Sequence, residues 1–331
     1  MKVLITGGAG FIGSNFIRYF FDKHPGASVI NLDKLTYSGN LENTLDFMKN
    51  KNYEFIKGDI CNKKLVNKII KNVDTVINFA AETHVDRSII SSGVFVKTDV
   101  LGTQTLLEAS KNNKIQKFIH ISTDEVYGSI LKGYAGEEYP LMPSNPYSAS
   151  KAGADRIAYA YYTTYKLPVI ITRSSNNYGS HQHPEKFIPL SITNALENKP
   201  LPIYGNGLNK RDWLYVNDNC EAIDLILKKG IEGEAYNIAA NEEYMNIKLA
   251  KNILKILGKP YSLIKHIKDR PGHDTRYALN CRKIHKLGWK PRTKLAKGLK
   301  NTVKWYVENF EWWKPLKKGA FKSYYKKQYL L

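Results

Sequence analysis

The chain is short of several things, and each shortage narrows its class. Its three cysteines, Cys61, Cys220 and Cys281, stand far apart in 331 residues. That spacing excludes a disulfide-stapled secreted scaffold and a cysteine-based zinc site, so they read as reduced thiols and no metal is expected. No run of about 18 apolar residues is present, so no membrane-spanning helix is expected. Met1-Lys2 leads straight into Val3-Leu4-Ile5 without a secretory leader, which makes a cytoplasmic protein the default expectation. No internal repeat or low-complexity run appears, so solenoids and fibrous arrays are excluded. Acidic side chains are scarce: 30 Asp and Glu stand against 50 Lys and Arg, for a net charge of +20. That balance favours anionic ligands. The lysines are nevertheless spread along the chain, and the densest pairs (Lys63-Lys64, Lys228-Lys229, Lys317-Lys318, Lys326-Lys327) read as solvated faces. Neither nucleic acid nor a membrane surface is therefore expected as the main partner.

What is present begins with an apolar strand over 2–6 feeding Gly7-Gly8-Ala9-Gly10-Phe11-Ile12-Gly13, then apolar residues at helical spacing over 11–21. Strand, glycine turn and helix in that order form the dinucleotide-binding arrangement. Gly7 makes the tight turn, Gly10 lets backbone approach a pyrophosphate, and Gly13 lets helix and strand pack closely. A second strand over 28–32 ends in Asp33, about 20 residues past the last glycine, where a carboxylate accepts hydrogen bonds from the adenine ribose. A 2′-phosphate would meet a like charge there, so NAD is favoured over NADP. Strands over 53–57 and 75–79 follow. Asp59 stands after the first, where it can meet the adenine edge, and Ala80-Ala81-Glu82 after the second, where small residues let a cofactor pass close to backbone. A long helix is predicted from Gly93 to about 110, with Thr98 facing the cofactor. His84 and Asp86 have no third ligand at convincing spacing and read as a hydrogen-bonded pair.

The stretch Ile121-Ser122-Thr123-Asp124-Glu125-Val126-Tyr127-Gly128 organises the rest. Residues 117–121 read as a buried strand, so Asp124 and Glu125 stand at the carboxyl edge of a sheet, where ligands bind in open α/β folds. Two adjacent carboxylates supply an acid and a base if their surroundings push their pKa values apart; alone, they would as readily cap the next element. From Pro146 a helix is predicted to 165. It carries Tyr147 and Lys151 one turn apart on one face, where an ammonium favours the phenolate and lowers the tyrosine pKa, as a base needs. Residues 173–178 form a further polar cluster at a strand end, with Asn176 and Asn177 able to read a ligand. Up to here the repeated βαβ order predicts an α/β, Rossmann-type doubly wound parallel sheet over 1–180. From 181 to 331 short elements separated by Pro and Gly predict a smaller C-terminal α/β domain that binds substrate, with some segments returning to the first. The aromatic and lysine-rich tail from Trp312 is left either docked or free.

Together these residues resemble the extended short-chain dehydrogenase/reductase family and, within it, the dTDP-glucose 4,6-dehydratases. The glycine turn and Tyr147-Lys151 mark the broad family. The narrower likeness rests on 33–40, 80–89, Thr123-Asp124-Glu125, 173–178, Pro184-Glu185-Lys186, Arg211-Asp212-Trp213 and Arg270-Pro271-Gly272-His273. The resemblance implies that Thr123, Asp124, Glu125, Tyr147 and Lys151 are catalytic. It implies NAD along Gly7, Gly10, Phe11, Ile12, Gly13, Asp33, Lys34, Leu35, Thr36, Asp59, Ile60, Ala80, Ala81, Thr83, Thr98, Tyr147, Lys151 and Asn177. It implies a dTDP-glucose substrate along Thr83, Thr123, Asn176, Lys186, Phe187, Pro202, Ile203, Tyr204, Arg211, Asn246, Asp269, Arg270 and His273. A homodimer through the helices beginning at Gly93 and Tyr147 is implied as well. The nearest alternatives are a dehydratase of a UDP- or CDP-sugar and a UDP-sugar 4-epimerase. Two departures stand out: Ser180-His181, where the family usually has proline and an aromatic residue, which bears on the substrate-facing wall, and a short segment between Glu125 and Tyr147.

Overall fold

The computed structural model describes residues 1–329. Seven strands build one parallel sheet: β1 (Lys2–Thr6), β2 (Ser28–Asp33), β3 (Tyr53–Lys57), β4 (Thr75–Asn78), β5 (Lys117–Thr123), β6 (Val169–Ser174) and, after three short strands elsewhere, β10 (Ala235–Ile238). Their order across the sheet is β10-β6-β5-β4-β1-β2-β3. Both faces are covered, so the strands read as apolar runs rather than alternating ones. On β1, Val3 and Ile5 enter one core cluster with Phe16, Phe20 and Ile223, while Leu4 enters the opposite one with Val66, Leu107 and Ala158. This period of two is what places helices Phe11–Lys23 and Val216–Lys229 on one face and Lys63–Ile70, Thr103–Asn112 and Pro146–Tyr165 on the other. The strand order turns back at β1, so the crevice at the carboxyl ends of β1 and β4 is the topological switch point.

The helix predicted from Gly93 is continuous to Asn112, but its middle, Val96–Gly102, is wound as a π-helix. Such widened turns collect at functional sites, and this one carries Thr98 and Asp99. The strand carrying the acidic pair is longer than predicted, running to Thr123, with Asp124–Tyr127 a 3₁₀ turn behind it. Arg173 is also placed differently from the strand-end cluster predicted for it. It lies inside β6, 2 % exposed, with its guanidinium held by Asp155 at 2.8 and 3.0 Å, and so ties sheet to helix.

Only Ser175 separates β6 from β7 (Asn176–Tyr178), where the chain leaves the large sheet. The strands β8 (Leu201–Tyr204), β9 (Lys210–Tyr215), β11 (Glu243–Met245) and β12 (Ile264–Ile267) complete two small sheets, β11-β9-β7 and β12-β8. Helices Phe187–Leu196, Asn246–Ile256 and Leu295–Glu308 pack there around Tyr178, Trp213 and Tyr306. The tail is docked. It forms helices Phe310–Leu316 and Ala320–Tyr329, Trp313 is fully buried, and Trp312 donates its indole N–H to Asn43. Among the described residues no helix is long and apolar enough to cross a membrane.

Candidate active site

The glycine turn closes against the end of β4. Gly7 has φ +71°, and a Cβ there would lie 2.7 Å from the Ala80 nitrogen; a Cβ at Gly13 would run into the Gly7 carbonyl. A bare backbone cradle therefore opens at the start of helix Phe11–Lys23, where Gly10, Phe11, Ile12 and Gly13 line the crevice and a helix N-terminus favours an anion. Asp33 ends β2, and its carboxylate accepts the Ala9 N–H at 2.9 Å and the Leu35 N–H at 2.8 Å. Lys34 pairs with Asp59 at 2.8 Å, and Asp59 also takes the Cys61 N–H. A cleft of about 270 Å³ runs from these groups to the end of β5. Its walls include Gly7, Gly10, Phe11, Ile12, Gly13, Asp33, Lys34, Thr36, Asp59, Ile60, Ala80, Ala81, Thr83, Thr98, Asn176 and Asn177. Leu35 takes part only through its backbone. It adopts φ +56° and turns its N–H back to Asp33 without lining the cleft.

At the far end the cleft is lined by Thr123, Glu125, Tyr147 and Lys151. The Thr123 hydroxyl donates to Asp124 at 3.2 Å, while the other Asp124 oxygen is buried without a partner among the described residues. Burial and then the neighbouring Glu125 charge push the Asp124 carboxyl well above the usual range, in the direction that favours its protonated form. Burial also raises Glu125, but the Arg270, Arg211 and Lys186 charges oppose that rise. Ser148 and Tyr277 both donate to its Oε2 at 3.4 Å. The environments of the two carboxyls thus differ in the sense an acid and a base require.

Tyr147 departs from the expectation. Burial first, then the charges of Glu125, Asp99 and Asp124, push its phenol well above its ordinary value. The Lys151 ammonium, itself lowered by burial, donates to the Ile121 carbonyl at 2.7 Å. The predicted lowering of the tyrosine by this lysine is therefore not what the protein groups produce. Behind them lies Asp99, not foreseen from sequence. It accepts the Glu82 N–H at 2.8 Å and the Ser150 hydroxyl at 2.7 Å, and burial pushes it up to about 6. Glu82 is pushed up to about 7 by burial and by the Asp99 charge. The turn that aims Asp99 is π-helical, and no residue pattern in 96–102 announces it.

A second recess of about 170 Å³ opens from the first, and the two share Thr83, Glu125, Asn176, Asn177 and Lys186. Phe187, Pro202, Ile203, Tyr204, Arg211, Asn246, Arg270 and His273 line it. Lys186 donates to the Thr83 carbonyl, Arg211 to the Asp274 carbonyl at 2.7 Å, and Arg270 to Asp86 at 3.0 Å. The Nε of Arg270 is buried without a partner among the described residues, a donor suited to an anion. Asp269 does not line the recess; it pairs with His273 at 2.6 Å from outside. Ser180 and His181 are not in the substrate-facing wall where sequence put them. Ser180 bonds Asn15, the His181 ring packs 4.6 Å from Trp305 and 5.7 Å from Trp312, and neither residue lines either recess. Among the described residues there is no cluster of three metal-ligating side chains.

Comparison with known proteins agrees with this geometry. Residues 4–302 match the family model described as GDP-mannose 4,6 dehydratase. A dTDP-glucose 4,6-dehydratase of Streptomyces niveus is 49 % identical over 322 residues, 96 % of either chain. The crystal structure of DesIV, a dTDP-glucose 4,6-dehydratase from Streptomyces venezuelae with NAD bound, superposes with a TM-score of 0.94 at 47 % identity, covering 96 % of this chain and all of that one. The chain belongs to the dTDP-glucose 4,6-dehydratase family. It is accordingly an NAD-dependent enzyme of nucleotide-sugar metabolism, and the bare glycine cradle, the Asp33 carboxylate and the open acceptor oxygens of Asn176 and Asn177 fit that cofactor. Membership is broader than one named activity. The low-salt glycan biosynthesis protein Agl12 of Haloferax volcanii is 47 % identical over 311 residues, 94 % of this chain and all of that one.

Proposed function

We propose that the enzyme converts dTDP-D-glucose to dTDP-4-dehydro-6-deoxy-D-glucose and water. Bound NAD supplies an acceptor for the C4 hydride and a donor that returns it at C6. Tyr147 takes the proton of the sugar 4-hydroxyl, and Thr123 steadies the 4-oxygen. With a phenol raised first by burial and then by neighbouring carboxylates, Tyr147 reaches its basic form only beside a compensating positive charge, of which Lys151 is the nearest on the helix. Once C4 is a ketone, the C5 proton is acidic because the charge left behind delocalises onto the 4-oxygen. Glu125 removes that proton, and the protonated Asp124 gives its own to the departing 6-hydroxyl as water. Hydride addition at C6 and proton return at C5 complete the cycle.

The observation that carries this reading is the unlike setting of two adjacent carboxyls at the end of β5: Asp124 is buried with one oxygen unpartnered among the described residues and is pushed well up by burial and by Glu125, whereas Glu125 lies within reach of the Arg270, Arg211 and Lys186 charges. A 4-epimerase has no leaving group to protonate and no use for such a pair. Incubation with dTDP-glucose, UDP-glucose and CDP-glucose in parallel, followed by the absorbance of the 4-keto product in base, is the test. Rapid turnover of the dTDP sugar is expected, and faster turnover of another base or interconversion of 4-epimers would overturn the assignment. The same reading assigns residues 1–180 to the cofactor, 181–331 mainly to the substrate, and the enzyme to the cytoplasm and to dTDP-rhamnose biosynthesis.

A homodimer belongs to the proposal. Ile89, Ile90, Val94, Val96 and Leu101 are large apolar residues left exposed on neighbouring turns of 85–102, beside helix Pro146–Tyr165 with its exposed Tyr159 and Tyr165. A patch of that kind on a well-packed protein marks a subunit interface. Leu101→Glu should shift sedimentation from dimer to monomer, and an unchanged profile would place the interface elsewhere.

A further inference from the structure

The C-terminal helix Ala320–Tyr329 belongs to the tail that the sequence left either docked or free, and its side chains reach the recess assigned to the nucleotide. Tyr329 lines that recess, with its ring 6.1 Å from that of Tyr204. Gln328 donates to the Tyr204 hydroxyl at 2.7 Å, and that hydroxyl donates to Asp86 at 2.8 Å. Tyr324 donates to the same Asp86 oxygen at 3.0 Å, while the other oxygen takes the Arg270 guanidinium. Asp86 is thus a buried hub, 3 % exposed, with two tail-dependent donors on one oxygen and the cation on the other.

We propose that the C-terminal helix is part of the substrate site: Tyr329 forms a wall against the nucleoside, and Tyr324 and Gln328 are positioning residues that aim Arg270 and Tyr204 through Asp86. The proposal deepens the function given above and rests on it. A carboxylate with two hydroxyl donors on one oxygen has its other oxygen fixed in direction, and it fixes the guanidinium in turn. The free Nε of Arg270 then points to one place, which is what recognition of a diphosphate by a planar fork requires. A phenol ring set beside Tyr204 encloses a flat base at low entropic cost, because few torsions have to be frozen. The helix is anchored well away from the recess. Tyr325 accepts from Asn194 at 3.0 Å, and Lys317, just before the helix, pairs with Glu197. Single changes at the tip therefore leave its docking in place.

Calorimetric titration of the NAD-loaded enzyme with dTDP, dTMP and thymidine separates the two roles. Tyr329→Ala should weaken all three probes, dTDP by about tenfold, and Tyr329→Phe should restore binding, since an aromatic wall needs only the ring. Tyr324→Phe should weaken dTDP by about fivefold and leave thymidine unaffected, because the lost hydroxyl acts only through the charge-assisted chain to Arg270. NAD content is measured on each variant to confirm a loaded site. Wild-type affinity for dTDP in Tyr329→Ala, or an equal loss of dTDP and thymidine in Tyr324→Phe, would overturn the inference. Failure of the unaltered enzyme to bind dTDP at all would instead bring down the assigned function, so the two failures are distinguishable.

Discussion

In the cofactor half of the cleft, the walls come from successive strand ends of one sheet: Gly7 to Gly13 after β1, Asp33 after β2, Asp59 after β3, Ala80 and Ala81 after β4. In the substrate half they come from 83–86, 186–187, 202–211, 246, 270–273 and 329, segments that no single element connects. The first half is local chemistry repeated, since each βα turn delivers its residue to the same edge. The second is assembled by tertiary packing, with small sheets and helices bringing each group in separately. Glu125 lines both halves where they meet, Tyr147 lines the cofactor half beside it, and Asp124 is buried next to Glu125 without lining either recess. If this division is real, changes in the cofactor half act on NAD, changes in the substrate half act on the sugar nucleotide, and changes at the junction act on chemistry alone.

The largest effect belongs to the junction. Tyr147→Phe removes the group proposed to take the 4-hydroxyl proton and should lower turnover by about 10⁴-fold. NAD, acid-released and measured by absorbance, should stay at wild-type stoichiometry. Loss of NAD along with activity would show that Tyr147 belongs to the cofactor half instead.

Next is Glu125→Gln, with an expected loss of about 10³-fold in overall turnover. Because the first hydride step precedes proton removal, bound NAD⁺ should still be reduced slowly on adding dTDP-glucose. Solvent deuterium should no longer enter C5. Full exchange at C5 would sink the assignment of the base.

These expectations also mark how far the sequence could be read. Glycines at a strand end followed by a helix announce themselves, because only a residue without a Cβ tolerates φ +71° at 2.7 Å from the Ala80 backbone. Asp33 is legible by its distance from them. The acidic pair was placed at a sheet edge by the apolar run ahead of it, and β5 ends there. Asp99 was not legible, since its direction depends on a π turn that periodicity does not encode. Arg173 was misplaced because a buried arginine in a strand looks like a strand end until Asp155 is seen beside it. The lowering of Tyr147 by Lys151 failed for a related reason. Spacing on a helix says that two groups are near, not what else is nearer, and Asp99 and the adjacent pair Asp124-Glu125 come from two other places in the chain. The substrate half was legible only by resemblance, and the tail not at all.

A smaller effect tests the cofactor half. Asp33→Ala removes the acceptor for two backbone amides as well as the carboxylate offered to the ribose. NAD affinity should fall by about 10- to 100-fold, the worth of charge-assisted hydrogen bonds. Discrimination against NADP should relax, while dTDP binding should hold. Unchanged preference between the two dinucleotides would move the selectivity elsewhere.

The smallest effect bears on the junction's electrostatics. Burial and the Glu125 charge raise the folded Asp124 carboxyl well above its ordinary range, whereas in the unfolded chain it releases its proton above about pH 4. The folded state then binds more protons than the unfolded one, so stability falls as pH rises from about 4 toward the folded pKa, by up to about 1.4 kcal/mol per unit. Asp124→Asn does not titrate, keeps an oxygen for the Thr123 hydroxyl and has nearly the same shape. Its melting temperature relative to wild type should therefore climb between pH 4.5 and pH 7.5, even though turnover is impaired. Glu125 and Tyr147 titrate in both proteins and leave this difference small in their own right. A constant or shrinking difference would mean that Asp124 is ionised in the folded enzyme, and the acid in the proposed elimination would have to be sought elsewhere.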